Sequence, residues 1–372
     1  MPDAPVTVGA EAGSPKFPTY GLARWAIAVP LLAIASLLLG KPDNILLVGL
    51  LAALLGAVVM AAVYLAETLA HYLGEPFGTL VLALAVTVIE TSLIVSIMLS
   101  DPTQTATLAR DTLIAAVMIT INGIVGICLL AGGRRHHEQS YTQSGVSVGL
   151  AMLATLAVTT LVLPNFTTSA GGAFYNSTQL GFVAVISLVI YGTFVVAQTI
   201  RHRDHFLNPE EDDHAHEAPV PPAKALVAGL TLAPALIAVV LLAKALSPSI
   251  EAGVAALGAP KAMVGIIIAA VVLAPEGFAA LRAARANRVQ TSLNLAIGSA
   301  LASIGLTIPA VAVTALLLGF DLQLGLSMTG ITLVSLTMLV ATLTLGTGRT
   351  TVVQGVIHLV IFATYLFTTL VP

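Results

Sequence analysis

Eleven apolar runs, separated by short polar turns, account for most of this 372-residue chain. They cover residues 24–40, 45–66, 77–100, 111–131, 146–163, 179–199, 224–244, 262–283, 293–316, 323–345 and 351–371. Each approaches or exceeds the roughly 20 residues that cross ~30 Å of hydrocarbon. Lipid offers the backbone no hydrogen-bond partners, so such runs must be helices, and the expected fold class is an all-α polytopic membrane protein. Composition points to the same solvent. The chain is 57% hydrophobic and 9% charged, against about 25% charged in a soluble domain. A net charge of −3 gives no reason to expect nucleic-acid binding. The single cysteine, Cys128, lies inside an apolar run, cannot form an intramolecular disulfide, and reads as a packing residue.

The runs divide as one plus five plus five. An extra helix at 24–40 follows a leader, 1–23, expected to be disordered; a first repeat spans 45–199 and a second 224–371. A signal peptide fits less well, because the stretch ahead of Ala33-Ile34-Ala35 is long and carries only Lys16 and Arg24. Starts of matching runs differ by 179, 185, 182, 177 and 172 residues, a nearly constant offset. Five is odd, so the second set enters the membrane from the opposite side, which makes an inverted repeat of the kind that builds secondary transporters. Lys and Arg supply the orientation. With the N-terminus inside, Lys16, Arg24, Arg134, Arg135, Arg201, Arg203, Lys224, Arg282, Arg285, Arg288 and Arg349 face the cytoplasm. Only Lys41, Arg110, Lys244 and Lys261 face outward, so the N-terminus is expected inside a cytoplasmic (inner) membrane and the C-terminus outside.

Two carboxylates interrupt this apolar pattern. Glu90 lies near the middle of 77–100 and Glu276 at a similar depth in 262–283. A charged side chain at mid-bilayer costs at least ~2.5–3.5 kcal/mol, so matching carboxylates in both halves mark a function. Thr87 stands one turn before Glu90. Pro275 removes the N–H that would bond the Val271 carbonyl, and Pro309 does the same to Gly305. Broken helices, free carbonyls and carboxylates at the midplane make an oxygen-rich site for a hard cation. The following runs add Asp111, Thr120 and Asn122 in the first half, and Asn294, Ser299, Ser303 and Thr307 in the second. The metal-ligand candidates are therefore Glu90, Glu276, Thr87, Asp111, Asn122, Asn294, Ser299 and Ser303. Each hydroxyl has a plainer role as a helix–helix hydrogen bond beside small residues such as Gly123, Gly126 and Gly298. Asp111 is either part of the ion path or an interfacial residue favoured by the helix dipole.

Other polar groups carry less. His358 reads as a packed, hydrogen-bonded histidine, and Glu67, His71 and Glu75 lie near helix ends within reach of headgroups and water. The acidic, His-rich loop 200–223 holds His202, His205, Glu210, Glu211, Asp212, Asp213, His214, His216 and Glu217. It is either a solvated connector or a cation- or pH-responsive segment.

At GEPFGTL, VIETSL, ARDTL and above all APEGFAAL and GSALASIGLTIP, the chain resembles the ChaA-type cation/proton antiporters of the calcium/cation antiporter superfamily. The resemblance spans nearly the whole chain and implies ten core helices plus one. It also implies exchange of calcium or sodium against protons, with one key acidic residue per repeat, here Glu90 and Glu276. The calcium/proton exchangers carry Gly-Asn just before that glutamate, whereas this chain has Val86-Thr87-Val88-Ile89 and Leu273-Ala274-Pro275. Gly298-Ser299 keeps the Gly-Ser pair of the following helix, while the first repeat has Arg110-Asp111-Thr112 there.

The expected function is a secondary antiporter that exports Ca2+, or Na+ or K+, in exchange for H+, with inorganic cations, protons and the lipid bilayer as partners. It needs no resident cofactor, and its oligomeric state stays open. A Na+(K+)/H+ antiporter without calcium transport is the first alternative and a cation channel the second. A channel needs a continuous polar stripe, but the polar residues cluster at mid-depth. An intramembrane enzyme needs a nucleophile–base pair or metal-binding histidines, and the runs contain neither GxSxG nor HExxH.

Overall fold

A computed structural model describes residues 22–40, 42, 44–73, 77–100, 106–206 and 220–371. Most of the leader, Lys41, Glu75 and the acidic run 207–219 lie outside the described residues. Eleven helical rods carry the described chain. They are α1 (Arg24–Ser36), α2 (Ile45–Leu73), α3 (Phe77–Ser100), α4 (Leu108–His136), α5 (Gln143–Phe166) and α6 (Ser177–Arg201). After the loop come α7 (Pro222–Ala256), α8 (Ala262–Arg285), α9 (Val289–Leu318), α10 (Met328–Leu345) and α11 (Val352–Leu370).

The sequence places the rods correctly but not all their ends. The first helix of the second repeat was expected to stop at residue 244; α7 instead runs on to Ala256, through Pro234 and Pro248. The added stretch holds four alanines with Leu246, Ile250 and Val254, and Ser247 donates to Glu251 at 2.9 Å one turn on, so the helix continues past the point where hydropathy falls despite Pro248 and Gly253. The helices α8 and α9 likewise run through Pro275 and Pro309. Other irregularities are π-helical turns inside α4 (Met118–Ile124) and α5 (Val158–Val162) and at the end of α6 (Ala197–Arg201). Such turns leave the normal i to i−4 ladder, as a proline does, and often mark functional positions.

The packing repeats with the sequence. The first helices of the two repeats, α2 and α7, lie against each other, with α1 beside both. Helix α3 packs on α9 while α8 packs on α4; α6 packs on α9 while α11 packs on α4. Each contact has its mirror in the other half, as a two-fold axis relating the halves requires. The loops agree. Gln139–Ser140, between α4 and α5, pairs antiparallel with Arg349–Thr350, between α10 and α11. The equivalent loops of the opposite halves meet in the Phe174–Gln323 bridge. Even the caps echo each other. The N–H of Asn176 donates to Gln179 Oε1 (3.1 Å) at the start of α6, and that of Thr351 to Gln354 Oε1 (2.8 Å) at α11.

Burial sorts the helices. The apolar window of α4 is 89% buried and that of α9 61%, whereas α11 reaches only 22%. The residues of α4 and α9 therefore form the centre of the larger core cluster, with Leu113, Met118, Ile121, Leu129, Leu293 and Ile304 fully enclosed. Helices α1, α2 and α7 make a second cluster around Leu51, Val58, Leu65, Val239 and Leu242. Exposed leucines, valines and phenylalanines such as Leu46, Phe182, Leu226, Leu339 and Val360 remain outside, which suits a surface facing lipid. Glycine sets the closest crossing. A Cβ on Gly355 of α11 would fall 2.6 Å from the Leu130 nitrogen and 2.9 Å from the Gly126 carbonyl oxygen.

Candidate cation site

Glu90 is the fourteenth of 24 residues in α3 and Glu276 the fifteenth of 24 in α8, so each carboxylate sits close to mid-span. Both are buried, at 1% and 7% exposure. They converge on a single helix, α9. The hydroxyl of Ser303 donates to Glu90 Oε2 at 2.6 Å, and that of Ser299 donates to Glu276 Oε2. Ser299 and Ser303 are one helical turn apart, with Cβ atoms about 5–6 Å from each other. Two glutamates from opposite repeats are thereby brought to adjacent rungs of one helix. One turn further, Thr307 shares a 2.9 Å hydrogen bond with Thr91 of α3. Ser299, Ser303 and Thr307 form a buried polar stripe at i, i+4 and i+8 along α9.

The second oxygen of Glu90, Oε1, is buried and has no hydrogen-bond partner among the described residues. An unsatisfied buried carboxylate oxygen is costly, and a proton or a cation is what would relieve it. Thr87 is buried one turn from Glu90 on the same face of α3.

The other sequence candidates make their contacts elsewhere. Asp111 lies in the first turn of α4, where Arg110 bridges it at 2.8 Å and Thr107 donates to it at 3.1 Å. Of its two readings, that is the geometry of the helix-terminal one. Asn294 sits nearer the start of α9, accepts from Gln290 Nε2 at 2.9 Å and donates to the Phe206 carbonyl, so it holds the end of the central loop. Asn122 lies in the π-helical stretch of α4 and turns toward α10 and α11: its Nδ2 donates to Thr337 Oγ1 at 2.8 Å and its Oδ1 meets His358 Nδ1 at 3.1 Å. His358 is thus a hydrogen-bonded histidine. Thr337 and Thr344, the other members of this network, were not singled out by the sequence. Their only signal is a seven-residue spacing on one face of α10.

The repeat register also needs one correction. Arg110-Asp111-Thr112 was set against Gly298-Ser299, yet Asp111 is the fourth residue of α4 and Ser299 the eleventh of α9. Counted from the helix starts, the counterpart of Ser299 is Met118 and that of Ser303 is Asn122. The polar turn before α4 had drawn the comparison one span-end too early.

Residues 44–200 and 227–371, which are the two five-helix sets, each match the sodium/calcium exchanger protein family. The chain belongs to that family. Among its relatives, this exchanger-family chain is 46% identical to the y4hA protein of Sinorhizobium fredii (strain NBRC 101917 / NGR234) over 302 residues, covering 80% of this chain and 82% of that one. It is 36% identical to the sodium-potassium/proton antiporter ChaA of Escherichia coli (strain K12) over 299 residues, covering 79% and 81%. Its fold is also that of the crystal structure of the H+/Ca2+ exchanger CAX, with a TM-score of 0.70 at 16% identity over 92% of this chain and 86% of that one.

Proposed function

We propose that this exchanger-family chain is a secondary antiporter that exchanges a hard inorganic cation for protons at Glu90 and Glu276. One observation carries the reading: buried carboxylates from the two inverted halves are each hydrogen-bonded to a serine on adjacent turns of α9. Such a pair holds either protons or a cation, because a bound cation needs the ionised oxygens that protons would occupy. Ser299 and Ser303 fix one oxygen of each carboxylate and leave the other to face the ion, and Thr87 lies close enough along α3 to contribute. Mutually exclusive occupancy, with the site presented to one side at a time, is what couples the two fluxes.

Calcium is the ion proposed, since two carboxylates neutralise a divalent cation and hard oxygens suit it. Sodium or potassium is the second reading, favoured by the 36% identity to a relative named as a sodium-potassium/proton antiporter. The eleven-to-four division of Lys and Arg supports a cytoplasmic face at the 137–142, 202–221 and 346–351 loops, in a bacterial cytoplasmic membrane. The test is proton flux in everted vesicles under an imposed pH gradient, with calcium, sodium and potassium added in parallel. Cation-dependent dissipation of the gradient without bilayer current supports antiport. Current without proton coupling would make the protein a channel.

A further inference from the structure

Beside the 137–142 loop, the ends of α4 and α8 enclose a cleft of about 370 Å³ lined by Ala131, Arg134, Arg135 and Arg285. The three arginines are exposed, and none forms an ion pair among the described residues. Glu138, the acid of the adjoining turn, is taken up by Arg349 at 3.2 Å. Nor are the guanidiniums needed to cap α8. His136 Nε2 lies 3.0 Å from the Arg285 carbonyl, and Gln139 Nε2 donates to the Ala284 carbonyl at 3.0 Å, so the last carbonyls of that helix have partners. The positive-inside rule accounts for arginines on this side of the membrane, but not for three of them, from two helices, around one cavity. Depth fixes what the cleft meets. Arg285 follows Glu276 by nine residues, which at 1.5 Å per residue is about 14 Å from mid-span, half of the ~30 Å hydrocarbon thickness. The arginines therefore stand at headgroup level. Toward mid-span the same helix faces turn apolar and stay uncovered. On α4, Ile127 precedes Ala131 and Arg134 at i, i+4 and i+7, and is 46% exposed. On α8, Phe278 precedes Arg282 and Arg285 at the same spacing, and is 60% exposed.

We propose that this cleft binds the phosphate of an anionic phospholipid, whose acyl chains lie along Ile127 and Phe278. A guanidinium is a planar, permanently charged fork that meets phosphate oxygens two at a time, and three of them around one cavity can hold a single phosphate from both helices. Basic pockets between membrane helices at the cytoplasmic face suit lipid headgroups for this reason. A soluble phosphate would use the arginines alone. The uncovered apolar faces that lead from them into the bilayer fit an amphiphile instead. Helices α4 and α8 touch just inside the cleft through small side chains, Cys128 against Ala280 and Ala284. A headgroup seated on Arg134, Arg135 and Arg285 therefore bridges two helices already in contact, one of them the helix that carries Glu276. The proposal does not depend on which ion the buried carboxylates carry.

The test titrates purified full-length protein in detergent with phosphatidylglycerol and, in parallel, phosphatidylcholine, counting bound lipid by native mass spectrometry. Phosphatidylglycerol should bind at least about tenfold more tightly, and the variant Arg134→Gln/Arg135→Gln/Arg285→Gln should lose that preference. The variant Arg201→Gln/Arg203→Gln/Lys224→Gln removes the same charge from the ends of α6 and α7 and should keep it. Inorganic phosphate in large molar excess should leave the lipid bound; displacement would make the cleft a site for soluble phosphate and overturn the lipid assignment. Equal binding of the two lipids overturns the proposal, and so does an equal loss in both triple variants, which would reduce the effect to general charge attraction. Should the cleft variant not fold, Arg285→Gln alone decides, with a loss of about fivefold expected and wild-type binding counting against the proposal.

Discussion

A serine hydroxyl has one hydrogen, and Ser299 and Ser303 each give theirs to a buried carboxylate. Those two bonds survive replacement of glutamate by glutamine, whose carbonyl oxygen accepts equally well. Glu90→Gln and Glu276→Gln should therefore fold and insert normally yet reduce cation/proton exchange to background, because a neutral amide cannot cycle a proton. Near wild-type exchange in either variant would remove that residue from the mechanism; vesicle flux together with chromatographic behaviour in detergent reads both halves of the prediction. The pair also fixes a pH dependence. A bound cation stabilises the doubly ionised state, so it displaces whatever protons the pair holds, and by linkage its apparent affinity rises with pH. The rise approaches two decades per pH unit where two protons leave and one decade where one leaves. These steps belong to the pair rather than to Glu90 or Glu276 alone. Either glutamine substitution should flatten the slope in an equilibrium binding titration, and an unchanged slope would show that the two carboxylates do not share the displaced protons.

Helices α4 and α9 are the axle of the fold, and what lets their neighbours approach is the size of a few residues. Gly355 meets backbone atoms of α4, which cannot rotate away. Gly355→Ala should force α11 off α4 and lower the unfolding temperature in detergent, at a cost of about 1–3 kcal/mol for overpacking. Gly181 in α6 has nothing within 4 Å of its missing Cβ, so Gly181→Ala should be neutral or stabilising by up to about 1 kcal/mol. Equal effects of the two substitutions would mean that the α4–α11 crossing is not set by glycine. The same axle helices carry the irregular backbone, a π-helical stretch in α4 and Pro309 in α9. Each of these departs from the regular i to i−4 ladder of its helix.

At the scale of the molecule, the inverted repeat puts the 139/350 ladder on one side of the bilayer and the Phe174–Gln323 bridge on the other. Glu138 and Asp321 are exposed residues next to these pairings. The native Cys128 is buried, so single introduced cysteines report without a competing label. Asp321→Cys should react with a membrane-impermeant maleimide in intact cells, and Glu138→Cys only after permeabilisation. The reverse pattern would invert the orientation. Labelling of both from the same side would contradict the repeat topology itself.

Hydropathy was enough to indicate the class of fold, the number of rods and the inverted pairing, and mid-span position singled out Glu90 and Glu276 as candidates. Lipid leaves the backbone a single way to cross, and a mid-span charge has few innocent explanations. Ser299 and Ser303 were legible too, as hydroxyls in a small-residue helix. The sequence could not decide which of several mid-depth polar side chains meet. Asn122 had equal standing with the serines on composition and depth, while Asp111 and Asn294, at the starts of their runs, were candidates on composition alone. The rotation of α4 about its own axis sends Asn122 to His358 and Thr337, while place near the helix ends takes Asn294 to the Phe206 carbonyl and Asp111 to Arg110. Rotation of a uniformly apolar helix leaves almost no periodic trace in the sequence, because lipid and protein core accept the same side chains. That choice is made by close packing, through glycine crossings and hydrogen bonds between helices more than two hundred residues apart in the chain.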